Sequence, residues 1–309
     1  MQQKPFSFPS ATGVGTIAAN AYLPDGAPDA VLAIHHGMAE HQERYEPFIR
    51  FLCDHGIGVY MHDMASHGQS TDSSPTGWFG EKDGWKNLIE DFRTVVTCAK
   101  EENPGKKVFV MGHSMGSFIC RLYTAKYPED GFAGAIYMGT GGSNPAAGAG
   151  MAMANGIGAI RGKQHKSPML AKMAFSSYNK GLERRTEYDW LTRDTEIVDR
   201  YIADPLCGFL FTAQGMNDLI HATAAANSRE WYESVPKDLP ILLVSGEKDP
   251  VGGWGKGVSE VDTRLKETGH TRVTKILYPE CRHEVLNELN RGEVMEDILA
   301  WLVKADKEE

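Results

Sequence analysis

The chain of 309 residues lacks several features that would place it in a whole class of proteins. No apolar run approaches the ~18 residues that a membrane-spanning helix needs, and no long apolar stretch of the signal-peptide type precedes Phe6. Basic residues form no long run, and the balance of 32 basic against 41 acidic residues gives a net charge of −9. We therefore expect no transmembrane segment, no nucleic-acid partner and no polybasic attraction to an anionic membrane.

Cysteine is scarce and irregularly placed. The chain has 5 cysteines, an odd number, and no C-x-x-C spacing. A disulfide framework or a zinc site normally shows paired cysteines at short spacing. We therefore predict free thiols, a cytoplasmic location, and neither a metal nor a cofactor, for a chain whose cysteines are Cys53, Cys98, Cys120, Cys207 and Cys281.

What the sequence does contain is an alternation of short apolar runs with helix-like segments. Continuous apolar runs are typical of buried parallel strands, and they lie at 30–34, 58–62, 107–111, 134–138, 241–244 and 273–278. Residues 6–23 alternate loosely and indicate an antiparallel hairpin at a sheet edge. Helices are predicted at 44–55, 85–102, 117–127, 217–235, 257–268 and 284–303. The pattern predicts an α/β fold with a doubly wound, mostly parallel sheet.

Residues 141–212 interrupt this alternation. They are rich in Gly, Ala, Met and Tyr, then in charged residues, and contain no run suited to a parallel strand. We interpret them as a mostly helical cap inserted into a core formed by residues 1–140 and 213–309. The first part of the cap is either a helix packed on the core or a mobile lid, with Met151, Met153 and Ile157 lining an apolar acyl pocket. The sequence does not determine the oligomeric state, and a homodimer is one possibility.

The segment Gly112-His113-Ser114-Met115-Gly116 stands between a predicted strand and a predicted helix. It has the G-x-S-x-G pattern of a nucleophile elbow, in which a strained turn exposes a serine and the glycines avoid collisions with neighbouring backbone. The helix N-terminus favours a developing negative charge. Ser114 is therefore a candidate nucleophile, and the alternative is a glycine-rich turn without chemistry.

A serine hydroxyl needs a base within hydrogen-bond reach, and the base needs an acid that orients it. Asp249 and His283 each follow one of the last two predicted strands, so both are expected at the edge that carries Ser114. The order Ser, Asp, His along the chain is that of the α/β hydrolases. Glu247 lies too early in its loop and Asp218 follows no strand, so both are weaker candidates for the acid.

Acyl transfer places negative charge on the former carbonyl oxygen, and two backbone N–H groups are needed to face it. One belongs to the residue after the nucleophile, which is Met115. The other is expected in the loop after the strand at 30–34, where the N–H of Met38 is the candidate donor. Glu40 and His41 in the same loop are expected to tie it to neighbouring chain rather than to touch substrate.

Three stretches together carry a resemblance to a known family, namely His36-Gly37-Met38-Ala39-Glu40-His41 with Arg44-Tyr45, Asp63-x-x-x-His67-Gly68-x-Ser70, and Gly112-His113-Ser114-Met115-Gly116. The chain resembles the monoacylglycerol lipase and lysophospholipase group of α/β hydrolases, often called serine aminopeptidase-like, over most of its length outside 141–212. The resemblance implies a serine hydrolase that cleaves carboxylic esters, such as a monoglyceride or lysophospholipid, through an acyl-enzyme. It implies the roles of nucleophile, acid and base for Ser114, Asp249 and His283, with Met38 and Met115 as oxyanion donors.

Three alternative functions are considered, two that would use the same triad and one that would use no catalytic residue. A peptidase or amidase would keep the triad, and an exopeptidase would add an acidic cap residue for the free amine, such as Glu183, Glu187 or Glu196. An acyltransferase would need a cap that excludes water. A non-catalytic binding protein on this fold is disfavoured by the intact triad.

Overall fold

The computed structural model describes residues 1–71 and 74–307. Its strands are β1 Gln2–Pro9, β2 Thr16–Leu23, β3 Ala30–His35, β4 Ile57–His62, β5 Lys107–His113, β6 Gly134–Met138, β7 Ile241–Gly246 and β8 Val273–Tyr278. Its α-helices are α1 Glu46–Asp54, α2 Gly84–Glu102, α3 Met115–Lys126, α4 Ala147–Arg161, α5 Pro168–Phe175, α6 Thr195–Ala203, α7 Ala213–Ala226, α8 Arg229–Ser234, α9 Lys256–Glu267 and α10 Arg291–Lys307. None of these helices is both long and apolar enough to cross a membrane.

The strands form one 8-stranded sheet in the order β1-β2-β4-β3-β5-β6-β7-β8. β1 and β2 are antiparallel and form an edge hairpin, β2 also runs antiparallel to β4, and all further neighbours are parallel. The predicted doubly wound, mostly parallel sheet and its edge hairpin are confirmed. Since parallel strands end on a common edge, the loops after β3, β5, β7 and β8 meet there.

Both faces of the sheet are covered, which is why its central strands are continuously apolar. Val31 and Ala33 of β3 lie in one core cluster with residues of α2 and α3. Leu32 and Ile34, which point the other way, lie in a second cluster with residues of α1 and α10. Alternate side chains of a strand point to opposite faces, so a buried central strand needs an apolar residue at every position.

The segment between β6 and β7 is helical. Residues 141–212, all of which the structure describes, contain α4, α5 and α6 and no strand of the sheet, and Lys166 and Thr212 form an isolated antiparallel bridge. Ser167 and Asp194 cap the N-termini of α5 and α6 by accepting backbone hydrogen bonds. The division into a core and a cap at these boundaries stays a prediction.

Two predicted helices were placed wrongly. The helix predicted over 217–235 is the pair α7 and α8, because Ser228 accepts a hydrogen bond from the Trp231 N–H and begins a new helix. The helix predicted from residue 284 begins at Arg291, after a short 3₁₀ turn. Glu284 and Glu288 are buried and bonded to side chains and backbone of other segments, which holds this part of the chain outside the helix.

The turn between β5 and α3 is tight and strained. Ser114 has φ 53° and ψ −121°, outside the regions that non-glycine residues favour. A Cβ on Gly112 would lie 2.2 Å from the carbonyl oxygen of Gly116, and a Cβ on Gly116 would lie 2.3 Å from the carbonyl oxygens of His35 and His36. The two glycines therefore let the strand, the turn and the β3 loop approach closely.

We predict that Gly116→Ala lowers the free energy of unfolding by about 3 kcal/mol or more, because the new methyl group would collide with backbone that cannot move aside. Gly156→Ala is the control, since this α4 glycine is exposed and has no atom within 4 Å of an added Cβ, and the change should stabilise by ~0.5–1 kcal/mol. Urea unfolding of both variants measures the difference. Equal stabilities would contradict the steric account.

Candidate active site

Asp249 and His283 meet at the C-terminal edge of the sheet. The Nδ1 of His283 lies 3.0 Å from Oδ1 of Asp249, and both side chains are buried. Asp249 also accepts hydrogen bonds from the Val251 N–H at 2.8 Å and the Ser245 hydroxyl at 3.0 Å. With Nδ1 bonded to a carboxylate, the Nε2 atom of His283 is the one left for proton exchange.

Ser114 and His283 line the same cavity. Ser114 is half-buried at the tip of its turn, and the Nε2 atom of His283 is buried without a hydrogen-bond partner among the described residues. Ser114 donates no hydrogen bond to this atom in the present conformation. In enzymes without substrate such bonds are often long and tighten when substrate binds.

Two backbone N–H groups beside Ser114 have no partner. In the part of the chain that the structure describes, neither Met38 nor Met115 donates a backbone hydrogen bond, and both residues line the cavity. Met115 is the first residue of α3, where an N–H has no partner within the helix. The β3 loop lies directly against the nucleophile, since a Cβ on Gly37 would be 3.1 Å from Cβ of Ser114.

The N–H groups on either side of Met38 are already bonded to side chains. Gly37 donates its N–H to Oε1 of Glu40 at 2.6 Å, and Ala39 donates to Nε2 of His67 at 3.1 Å. These two bonds fix the backbone on both sides of Met38, whose N–H has no partner among the described residues. The arrangement is the one required for stabilising an oxyanion.

The carboxylate of Glu40 is the centre of a buried polar network. Its Oε1 also accepts from the Tyr45 hydroxyl at 2.9 Å and faces Nδ1 of His113 at 3.0 Å, and its Oε2 accepts from Arg44 at 2.6 Å. Arg44 in turn donates two hydrogen bonds of 2.7 Å to Glu284. Because Glu284 follows His283, the network joins the β3 loop to the loop that carries the base.

Hydrogen bonds and opposite charges in this network favour the charged forms of Glu40 and His113. Burial opposes the charge on Glu40, but the hydrogen bond from His113 and the charge of Arg44 outweigh it and hold the pKa of Glu40 well below 4.5. Burial likewise lowers the pKa of His113, but the hydrogen bond to Glu40 and its charge raise it overall above 6.5. His113 is therefore a buried partner of Glu40, and its ring centroid lies 4.8 Å from that of His283.

Trp190 holds His283 from the side of the β6–β7 segment. Its carbonyl oxygen accepts a hydrogen bond from the His283 N–H at 3.3 Å, and its ring centroid lies 5.0 Å from that of His283. The ring of Tyr178 packs edge-on against Trp190 at 4.9 Å. The roles of Trp190 and Glu284 in holding the loop of His283 were not predicted from the sequence. For Glu284, its position next to the predicted base was a possible indication, and for Trp190 there was none.

The cavity beside Ser114 has a volume of about 1380 Å³, above the ~300–1,000 Å³ of typical ligand pockets. Of the three residues predicted for an acyl pocket, Met153 lines this cavity, whereas Met151 and Ile157 are not among the lining residues. Met153 and Ile157 both pack against the core. Met151 lies on a different face of α4 from Met153, and Ile157 lies one turn further along the same face. Other apolar lining residues are Leu170, Phe175, Phe209, Met216, Leu219 and Ile220.

The other predicted acidic residues take different positions. Glu187 lines the cavity, but its side chain is 81% exposed and lies 3.7 Å from Arg184, and Glu183 and Glu196 are not lining residues. Asp218 lies within α7 away from the cavity lining, and burial raises its pKa to about 7. Glu247 is exposed. Among the candidates for the acid, the structure places Asp249 alone against His283.

The sequence and the structure were compared with known proteins. A family model described as serine aminopeptidase, S33, matches residues 26–290. A monoacylglycerol lipase from Mycolicibacterium smegmatis is 30% identical over 309 residues, with 95% of this chain and 96% of that protein covered. A monoglyceride lipase from Rattus norvegicus is 26% identical over 286 residues, with 87% and 84% covered. The structure of a thermostable carboxyl esterase from Bacillus coagulans in complex with glycerol superposes with a TM-score of 0.92 at 30% identity and covers 99% of each chain.

We predict that Glu40→Gln lowers the free energy of unfolding at pH 7 by about 3 kcal/mol, because it leaves Arg44 and His113 in a buried site with one anion fewer. Since the folded-state pKa of Glu40 is depressed, its contribution should be complete above pH 4.5 and shrink as the pH falls below that value. Urea unfolding from pH 3 to pH 8 measures it. Glu43→Gln, an exposed neighbour, is the control, and a difference that did not depend on pH would refute the assignment.

Proposed function

Because the chain belongs to the family described as serine aminopeptidase, S33, and is a serine ester hydrolase, we propose that Ser114, Asp249 and His283 are its catalytic triad and that monoacylglycerols are its substrates. The observation that carries the triad is the buried, hydrogen-bonded pair of Asp249 and His283. His283 and Ser114 line the same cavity, and beside Ser114 lie the N–H groups of Met38 and Met115, which have no partner among the described residues. This arrangement supplies each part that acyl transfer needs.

The proposed reaction starts with a proton transfer. His283 takes the hydroxyl proton of Ser114 on Nε2 while the serine oxygen attacks the ester carbonyl, and Asp249 stabilises the imidazolium through Nδ1. The negative charge on the carbonyl oxygen is stabilised by the N–H groups of Met38 and Met115. His283 then protonates the leaving alcohol. Water, activated by the same histidine, releases the acid from the acyl-enzyme.

The substrate class rests on the cavity and on the relatives. The apolar residues of the lining suit a single acyl chain, and polar and charged residues of the same lining suit a small hydroxylated head group. Relatives from Mycolicibacterium smegmatis and Rattus norvegicus are named for hydrolysis of this ester class. We further propose that residues 141–212 act as the cap over the cavity. A cytoplasmic location and a homodimer stay predictions.

An aminopeptidase activity has weaker support. A free substrate ammonium group would need a carboxylate held inside the cavity, and Glu187 is mostly exposed and already close to Arg184. A lysophospholipid differs from a monoacylglycerol in the charge of its head group and is the neighbouring alternative in the same cavity. The test below separates these classes.

Replacing the nucleophile is the first test. We expect Ser114→Ala to abolish labelling by a fluorophosphonate probe and to lower kcat on a monoacylglycerol about 10⁶-fold, since the variant has no attacking oxygen. Ser117→Ala is the control, because the Ser117 hydroxyl is buried and bonded to the Ser114 carbonyl oxygen rather than facing substrate. Labelling that persisted in Ser114→Ala would overturn the assignment.

A substrate panel tests the class. The purified chain should be assayed on monoacylglycerols of increasing acyl length, on lysophospholipids of matched length and on aminoacyl amides. We expect the highest kcat/KM on monoacylglycerols, because the apolar lining residues suit one acyl chain and the relatives compared above are named for this ester class. A higher kcat/KM on amides would support a peptidase. A higher kcat/KM on lysophospholipids would mean that the preferred substrate has a charged head group.

A further inference from the structure

We propose that His41, Asp204 and Cys207 form a binding site for a zinc ion between the β3 loop and the segment that follows α6. Each residue offers one donor atom, and the three donor atoms lie within 4.8 Å of one another. His41 and Asp204 are already in contact, with 2.8 Å between Nε2 and Oδ2. No other group of three such side chains is this close together in residues 1–71 and 74–307.

The donor set favours zinc over harder cations. An imidazole nitrogen, a carboxylate oxygen and a thiolate sulfur are the three ligand types that zinc binds in proteins, whereas magnesium and calcium select oxygen. Ligand distances of 2.0–2.3 Å in a tetrahedral site separate the donor atoms by about 3.3–3.7 Å. Nε2 of His41 and Oδ2 of Asp204 are 2.8 Å apart, and every pair of the three donor atoms lies within 4.8 Å. Small side-chain rotations therefore bring the three atoms to a common ion.

The backbone already orients two of the ligands. Asp204 accepts a hydrogen bond from the Leu206 N–H on Oδ1 at 2.8 Å, which leaves Oδ2 facing His41. The Cys207 N–H donates to the Asp204 carbonyl oxygen at 3.1 Å, so that Asp204 and Cys207 are the two ends of one turn. His41 is buried, and the side chain of Asp204 is 31% exposed, which leaves solvent access for a water molecule as fourth ligand.

The surrounding charges favour a cation. Burial raises the pKa of the Cys207 thiol, the charge of Arg44 lowers it, and the carboxylates of Asp204, Glu40 and Glu284 raise it. Arg44 is neutralised by its contacts with Glu40 and Glu284, and the carboxylate of Asp204 adds further negative charge. Zinc would displace the thiol proton to solvent and bind Nε2 of His41 with the ring proton on Nδ1. The cysteine would then be a thiolate ligand.

The ion would fasten two segments that are already in contact. The N–H of Gly208 and the hydroxyl of Tyr201 both donate to the Ala39 carbonyl oxygen at 3.0 Å. His41 stands close to Met38 in the same loop. Metal binding would therefore stabilise the β3 loop against the segment after α6. No short cysteine spacing marks this site in the sequence, because His41 and Asp204 are 163 positions apart and the site has a single cysteine.

The test is metal binding by the purified, reduced full chain, first stripped with a chelator. Titration with ZnCl₂ in a calorimeter should give one site, and CoCl₂ should give the absorption bands of tetrahedral thiolate-bound cobalt. We expect Cys207→Ser and Asp204→Asn to weaken zinc binding at least tenfold. Cys98→Ser is the matched control, because this half-buried thiol of α2 lies outside the cluster, and it should bind zinc as the unmodified chain does.

The proposal is overturned if one equivalent of zinc fails to bind, if the cobalt spectrum lacks the thiolate band, or if both variants bind zinc as tightly as the unmodified chain. In the last case the ion would sit elsewhere, for instance on His283. Thermal unfolding with and without zinc gives an independent measure, since an ion that binds the folded chain raises Tm. That increase should vanish in Cys207→Ser and remain in Cys98→Ser.

Discussion

A single buried carboxylate, that of Glu40, holds the reactive edge of the sheet together. One of its oxygens fixes the Gly37 N–H, and with it the backbone that presents Met38. The other reaches Arg44, which binds Glu284 and so anchors the chain next to His283. A charge in such a place is costly unless every acceptor site is bonded, and the contacts of Glu40 meet that condition. The loop of Met38, a proposed oxyanion donor, and the loop of His283, the proposed base, are therefore positioned through the same group.

Much of this arrangement is predictable from the residues because it depends on where strands end. Ser114, Asp249 and His283 each follow a short apolar run, and parallel strands bring such positions to one edge. Met38 and Met115 follow from the need for backbone donors beside the serine. Trp190 does not follow, because no pattern in the charged stretch around it indicates that it packs on a distant histidine. Nor do the positions of Met151 and Ile157, because the sequence indicates neither which face of α4 meets the cavity nor how far along the helix the cavity extends.

The β6–β7 segment binds the loop that carries His283 and also lines the cavity. Its Trp190 accepts the backbone N–H of His283, and the neighbouring Leu191 accepts that of Glu284 at 2.7 Å. The loop that carries His283 is therefore held both by Arg44, through Glu284, and by this segment. A change in the packing of the segment reaches His283 through main-chain bonds, so substrate contacts made there can alter the rate as well as the affinity.

The free N–H groups beside Ser114 belong to the main chain, and this has an evolutionary consequence. Any residue except proline at positions 38 and 115 keeps the donor. The Met38 side chain, which lines the cavity, can therefore be exchanged by mutation without loss of charge stabilisation. Substitutions at position 38 can therefore change which acyl group is accepted without changing the reaction mechanism. Relatives with the same triad can differ in substrate preference before they differ in mechanism.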